Sequence, residues 1–324
     1  MSMGEFRNPF TDAKIVGVNV DPDEYHSETV KRGDPALPMT KTNLWQIGLN
    51  PIRWLNGYES PETDAKDDGA LVDALFLTPD KFENRFAVYP ATYPDTKTGD
   101  PKPWNNNANF CKEWKAEQGA NVFVHHDDLN GARIAVGKLW ADQQVKAIMA
   151  GAAVQVHVAG IYHDSTYEID IPVKVLADIV PAVDGPFGKY IIDFKRTRSV
   201  KPDGWPTQVF NLGMHVQAAL TLDLYTAATG DDRVCFRHIA QENYPPFHIE
   251  HQLLDSSWLE LGRAFYLEAL NLYACGLRRG QWAGYASRSR IDGANWVQPR
   301  DWMMLANVRE WSSDAKEFHS ETPT

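Results

Sequence analysis

The sequence predicts an α/β (α+β) fold in which a central mixed β-sheet is flanked by helices. Three observations lead to this. Val154, Val156 and Val158 alternate with Gln155 and His157, the period of two of a strand with unlike faces. The runs IPVKVLADIVP and KYIIDFK come next, rich in β-branched and aromatic residues. Helical periodicity at 127–150, 207–229 and 256–279 brackets this run of strands and separates it from later ones, giving the order helix, sheet, helix, sheet, helix. With 324 residues, 43% apolar, 11% aromatic and 23% charged, the chain has an ordinary globular composition and enough length to bury a core.

In chain order, residues 1–40 are rich in Asp, Glu, Pro and Lys and read as an extended arm. A short helical pattern at 43–57 is interrupted at Pro51, and 58–68 is polar. Residues 69–77 form a helix stopped near Pro79, and 89–107, with four prolines, read as a long loop. Asp127 or Asp128 caps a helix to about residue 150. Strands come next at 154–158, 167–181 and 189–195, the last two joined through the turn at 183–186. A long helix at 207–229 ends at Gly230. Strands at 233–240 and 247–253 flank Tyr244-Pro245-Pro246, and a helix at 256–279 has Ser256 as N-cap and Gly280 as stop. The remainder is Trp-rich, then polar.

Composition removes several functional classes. Three scattered cysteines, Cys111, Cys235 and Cys275, are too few for a disulfide framework, an all-cysteine zinc site or a four-cysteine iron–sulfur cluster. They suggest a reducing, cytoplasmic setting. Glu5 and Arg7 interrupt the N-terminus before an apolar signal segment forms, and the most apolar stretch, 147–161, falls short of the roughly 18 residues of a membrane span. A net charge of −11 argues against generic adhesion to nucleic acid or acidic membranes, though not against a nucleic-acid enzyme with a locally basic site. There is no G-x-S-x-G, Walker A or G-x-G-x-x-G motif.

The chemistry concentrates at residues 178–201. On a strand, Asp193 and Lys195 project from one face roughly 7 Å apart. Asp178 lies in the preceding apolar strand, and the intervening turn can bring it beside Asp193. Two carboxylates and a lysine are costly to bury unpaired. A divalent cation resolves that cost, since Mg²⁺ takes one or two carboxylates plus water and substrate phosphate. The lysine would orient or deprotonate the attacking water, or stabilise charge on the phosphate. The bland alternative is a surface Asp-x-Lys salt bridge. Arg196, Arg198 and Lys201 come at once after it, a reversal of sign suited to a phosphate backbone; otherwise they are a solvated basic turn.

The spacing of Asp178, Asp193 and Lys195 resembles the core of the PD-(D/E)XK nuclease superfamily, and the surroundings resemble RecE-type (lambda-exonuclease-like) phage and prophage exonucleases. GALVDALFLTP at 69–79 resembles their G-x-x-x-H helix, with Asp73 in the histidine position. HVQAA at 215–219 resembles their Q-x-x-x-Y helix, with Gln217 matching and Thr221 in place of tyrosine. EYHS at 24–27, KFENRF at 81–86, ENYPP at 242–246 and LELG at 259–262 fall in the same order. The likeness runs from about residue 20 to 285. It divides the chain into an arm at 1–40, an exonuclease domain at 41–285 and an extension at 286–324 without counterpart.

The resemblance implies a restriction-endonuclease-like core and Mg²⁺-dependent degradation of linear double-stranded DNA, typically from 5′ ends. Mn²⁺ is expected to substitute. It implies duplex DNA ends as substrate, a homo-oligomeric ring, a single-strand annealing recombinase as partner, and a phage or prophage origin. Asp178, Asp193 and the backbone carbonyl of Phe194 would ligate metal, and Asp73 would take the histidine's ligand position. Lys195 would act on the water, and Gln217 would hold the geometry of the site or DNA.

Two departures from the pattern stand out. Asp73 keeps an oxygen ligand for a hard cation. Thr221 loses an aromatic hydroxyl, for which Tyr225, one helical turn on, is the candidate substitute. Some members carry a glutamate where Gln155 stands, and Gln155 is assigned no role. Two other readings remain: an endonuclease on branched or single-stranded DNA, and a catalytically weakened DNA-end-binding module. His125–His126 and the pair His157 and His163 lack zinc-site spacing. Trp282, Trp296, Trp302 and Trp311 read as packing anchors before base-stacking platforms.

Overall fold

A computed structural model describes residues 7–57, 64–118 and 122–284, together with the backbone of two short strands beyond them. Its centre is a six-stranded sheet. The strands are β1 (Phe10–Gly17), β2 (Ala153–Asp164), β3 (Ile169–Val180), β4 (Tyr190–Thr197), β5 (Cys235–Glu242) and β6 (Ile249–Leu253). They lie side by side in that order, antiparallel throughout except for the parallel β4–β5 pair. Parallel neighbours need a crossover. It is supplied by helices between Thr197 and Cys235, including the one that brings Gln217 to the site.

Five helices frame the sheet and its cleft: α1 (Lys41–Leu49), α2 (Asp64–Leu77), α3 (His126–Ala141), α4 (Met214–Thr229) and α5 (Ser256–Arg279). Two apolar cores sandwich the sheet. Val173, Val175 and Ile191 face one core with Leu44 of α1, Val216 and Leu220 of α4, and Tyr266 and Leu270 of α5. Ile192, Phe194 and Ile239 face the other with Val72 and Phe76 of α2 and Leu139 of α3. Each buried side chain of this kind contributes roughly 1.5–3 kcal/mol relative to exposure.

Several elements differ from the sequence expectation, each for a local reason. The helix expected at 207–229 breaks into Trp205–Asn211 and α4. Gly213 at the joint has φ +61°, and a Cβ there would lie 2.7 Å from the Trp45 ring. The helix expected to reach residue 150 breaks at Asp142, which is extended and caps a new helix, Gln143–Met149, through the Val145 N–H. His125, not Asp127 or Asp128, caps α3, and Asp255, not Ser256, caps α5. The loop at 89–107 contains a small hairpin, Thr92–Pro94 against Pro101–Pro103. The stretch read as an arm supplies β1, an edge strand whose ladder slips twice, as protected edges often do. Residues 285–324 form a separate unit, in which Arg290–Ile291 pairs with Ala294–Asn295. Trp296, Trp302 and Trp311 lie outside the described residues, whereas Trp282 packs on Trp54 and Tyr273.

The α4–α5 contact includes a buried ion pair. Asp223 accepts bonds from Arg263 (Nε to Oδ2, 2.9 Å; Nη2 to Oδ1, 2.8 Å) and from the Tyr266 hydroxyl (2.7 Å). Asp223→Ala strands both donors. It is expected to cost about 3 kcal/mol, the low end for a broken buried pair because Arg263 reaches some solvent, and urea unfolding midpoints measure it.

Candidate active site

The site forms where β3 and β4 part. They pair at one position, Ile179 opposite Ile192. The Phe194 N–H therefore lacks a ladder carbonyl and donates to Asp178 Oδ2 at 3.1 Å. That bond fixes the Asp178 carboxylate at the mouth of the opening. On β4 the alternation holds as expected. Ile192 and Phe194 enter the α2–α3 core, while Asp193 and Lys195 take the other face, with Lys195 Nζ 2.9 Å from Asp193 Oδ1 and 2.8 Å from Oδ2.

Two helices complete the site. Gln217, in the first turn of α4, donates from Nε2 to Asp193 Oδ1 at 2.7 Å. α2 delivers Asp73, whose Oδ1 is buried and without a hydrogen-bond partner. Asp73, Asp178, Phe194, Lys195, Arg196 and Gln217 all line one cleft of about 1200 Å³. In a chain with more acids than bases this cleft reverses the balance. Lys41, Arg32, Arg85, Lys174, Lys195 and Arg196 outnumber its acids Asp23, Glu28, Asp73 and Asp178.

Burial and mutual repulsion set the charges. Burial, then the Asp193 and Asp73 charges, push the Asp178 carboxyl well above the usual carboxylate range. Burial likewise pushes Asp73 up to about 7. Burial opposes ionisation of Asp193 too, but Lys195 and His238 outweigh it and hold that carboxyl below its ordinary value. Burial works against the Lys195 ammonium, yet Asp193 and Asp178 keep its pKa above the usual lysine value. His238 on β5, directly opposite Asp193, is fully buried with neither ring nitrogen hydrogen-bonded and Nε2 3.8 Å from Asp193 Oδ2, and burial pulls it down to about 4.

These residues suit a hard divalent cation. Asp178 and Asp193 adjoin, the Asp193 charge opposes ionisation of Asp178, and Asp73 faces them with an orphaned oxygen. Their titration would make any cation binding here pH-dependent. A carboxyl whose folded pKa is raised stabilises the fold below its unfolded pKa of about 4 and loses that contribution as pH rises through the folded value. For Asp73 the loss runs up to about pH 7, and Asp178 acts in the same direction. The lowered Asp193 titrates below this window. Mg²⁺ should therefore raise the melting temperature more at pH 7.5 than at pH 5. At a hundredfold excess over Kd, saturation would add about 2.7 kcal/mol, read by thermal scans with and without EDTA.

Other expected residues fall in different places. Arg196 donates to Gln241 Oε1 (3.1 Å) and to the Glu242 carbonyl (2.5 Å), while Arg198 and Lys201 are exposed and outside the cleft lining. Thr221 is buried and lines the cleft one turn beyond Gln217. Tyr225 does not replace the missing tyrosine: it is buried in the core with the Arg233 guanidinium 5.6 Å from its ring centroid. His163 pairs with Asp170, and His157 packs on Tyr25. Among the described residues, His125, His126 and Asp127 bring ligand atoms within 4.8 Å of one another. They are largely exposed, at the positive end of α3 that disfavours a cation.

Three residues at or beside the site escape sequence reasoning, Gln155 and Lys41 in the cleft lining and His238 buried behind it. Gln155 is 2% exposed, with φ +46° and an unpartnered Oε1. Its left-handed backbone breaks the alternation of β2, sending Val154 to one core and Val156 to the other. The signal was a lone amide among valines. His238 shows only as a polar residue in an apolar strand, and Lys41 gives no signal.

No family model matches the sequence, and no curated protein matches it. Among solved structures the chain is similar to a protein of Eubacterium rectale named "Putative exonuclease". The two share 15% identity over 89% of this chain and 98% of that one, with a TM-score of 0.51. That likeness shows the fold, a central mixed sheet flanked by helices.

Proposed function

We propose that the protein is a divalent-metal-dependent deoxyribonuclease of the PD-(D/E)XK type, acting as an exonuclease on linear double-stranded DNA. The observation that carries this reading is the convergence of Asp178, Lys195, Gln217 and Asp73, from two strands and two helices, on one cation-rich cleft, with Asp193 buried directly behind Lys195 and Gln217 and bonded to both. The name of its structural neighbour agrees with nuclease chemistry.

Asp178 and Asp193 would hold Mg²⁺, or Mn²⁺ in its place, with Asp73 and the Phe194 carbonyl as further oxygen donors. When bound, the ion supplies a Lewis acid to the phosphoryl oxygens and lowers the pKa of water. The chain's own groups do the rest. Gln217 and Lys195 both grip Asp193 Oδ1 and so fix its carboxylate. Lys195, protonated beside two carboxylates, is a donor in the free protein. Its amine orients the attacking water or binds a non-bridging oxygen as charge develops there. Arg198 and Lys201 extend a positive path along the substrate backbone. The reading extends to 5′→3′ polarity, a ring of identical chains and a single-strand annealing recombinase that receives the exposed strand. Among the described residues no helix is long and apolar enough to cross a membrane.

The test uses linear duplex labelled at its 5′ or 3′ end beside a closed circle, in Mg²⁺ and in EDTA. Mg²⁺-dependent loss of the linear form alone, 5′ label first, is expected. Cleavage of the circle would replace the exonuclease with an endonuclease. Intact DNA under every divalent cation, from folded protein, would overturn the enzyme reading.

A further inference from the structure

We infer that Lys41 is a phosphate-binding residue of this cleft, its amine contacting a non-bridging oxygen of the nucleic-acid backbone beside the carboxylate pair. The inference rests on the nuclease reading above and adds a substrate contact that the carboxylate motif does not contain.

Three lysine amines line the cleft, and their partners differ. Lys195 is held by Asp193. Lys174 donates to the Tyr25 carbonyl (2.9 Å) and Glu28 Oε2 (3.4 Å), and lies 4.8 Å from the Tyr25 ring centroid. Lys41 donates to the Leu212 carbonyl at 2.5 Å and, among the described residues, pairs with no carboxylate. An ammonium carries three donors, so two remain for a ligand. A half-buried cation with no carboxylate in contact is under-compensated unless an anion comes to it.

Its placement suits that role. Leu212 closes the short helix before Gly213, and α4 then carries Gln217 to Asp193. The bond to Leu212 therefore anchors the amine to the joint that positions Gln217. Lys41 also opens α1, where Thr40 caps the helix and Thr40, Lys41, Thr42 and Asn43 all line the cleft. The positive end of α1 adds to the field an anion meets there. Burial and the like charge of Lys195 pull the Lys41 pKa down to about 8, although Asp193 opposes this, so the free protein leaves this charge under-compensated.

The experiment measures binding of a short linear duplex in Ca²⁺, by fluorescence anisotropy, across about 50–200 mM salt. Each phosphate contact contributes a slope of about −0.9 in log K against log salt. Lys41→Met is expected to flatten the slope by about one contact and to weaken binding about tenfold at the low-salt end, with Lys41→Arg retaining the slope. A Lys41→Met protein that melts earlier but keeps the wild-type slope would overturn the inference and leave Lys41 a cap for the Leu212 carbonyl. If Lys41→Met does not fold, Lys41→Gln is read by the same slope. Wild-type protein without salt-dependent duplex binding would overturn the nuclease reading itself, whereas wild-type binding with an unchanged mutant slope overturns the role of Lys41 alone.

Discussion

Asp193→Asn is expected to reduce Mg²⁺-dependent hydrolysis of duplex DNA by at least about 10³-fold, roughly 4 kcal/mol of transition-state stabilisation, while the protein stays folded. The side chain keeps its shape, so the β4 strand and the cores beside it are undisturbed. Its charge is lost. Asp193 is the carboxylate that Lys195 and Gln217 both hold, and the one held below its ordinary pKa. An amide offers a cation one neutral oxygen and turns its NH₂ toward groups that need an acceptor. Stability changes less than activity, because two effects oppose. Asp178 loses the charge that raises its pKa, and Lys195 loses its counter-ion. Hydrolysis assays paired with thermal scans separate these. Activity within tenfold of wild type would place the chemistry elsewhere.

Gly262→Ala should lower stability by about 3 kcal/mol, a melting-temperature drop of about 6–9 °C. A Cβ at this position of α5 would stand 2.1 Å from the His215 carbonyl oxygen, 2.8 Å from its carbon and 2.9 Å from Ala219 Cβ. Two of these contacts are backbone, which cannot rotate aside, so α4 and α5 must separate. His215 lies two residues before Gln217, and separation loosens the Gln217 grip on Asp193. Activity measured well below the melting point should therefore fall as well. A melting temperature within about 2 °C of wild type would show slack between these helices that the contact distances deny.

What the sequence revealed of the site depends on the range of the interactions involved. Asp193 and Lys195 were legible because strand alternation is a local rule, and Asp178 because a short turn joins two apolar strands. Their meeting with Asp73 and Gln217 depends on packing between segments far apart in the chain. Only the resemblance to a nuclease family pointed to those two. Gln155 was hidden by its backbone: alternation assumes extended residues, and φ +46° breaks it where the side chain must enter the cleft. Lys41 was hidden because its role comes from the Leu212 carbonyl and from a cleft whose walls are non-local.

The fold shows the same division. The helix expected at 207–229 continues its apolar period through 212–213, so periodicity alone gave no reason to stop. The break falls at Gly213, whose left-handed backbone lies so close to Trp45 of α1 that a side chain there would clash with the ring. β1 reads as part of an arm because residues 1–40 are rich in Asp, Glu, Pro and Lys, and in the structure most of its positions are indeed exposed. It becomes a strand because β2 offers it an edge. Gly230 and Gly280 stopped their helices as read, both left-handed caps.

The most direct test of metal-dependent hydrolysis at this site compares wild-type protein with Lys195→Ala for release of acid-soluble nucleotides from one linear duplex, in Mg²⁺ and in EDTA. Wild type is expected to release nucleotides in Mg²⁺ alone, and the variant none above background, with both proteins equally folded. Equal release by the two, or none by wild type under any divalent cation, would contradict a nuclease centre built on Asp178, Asp193 and Lys195.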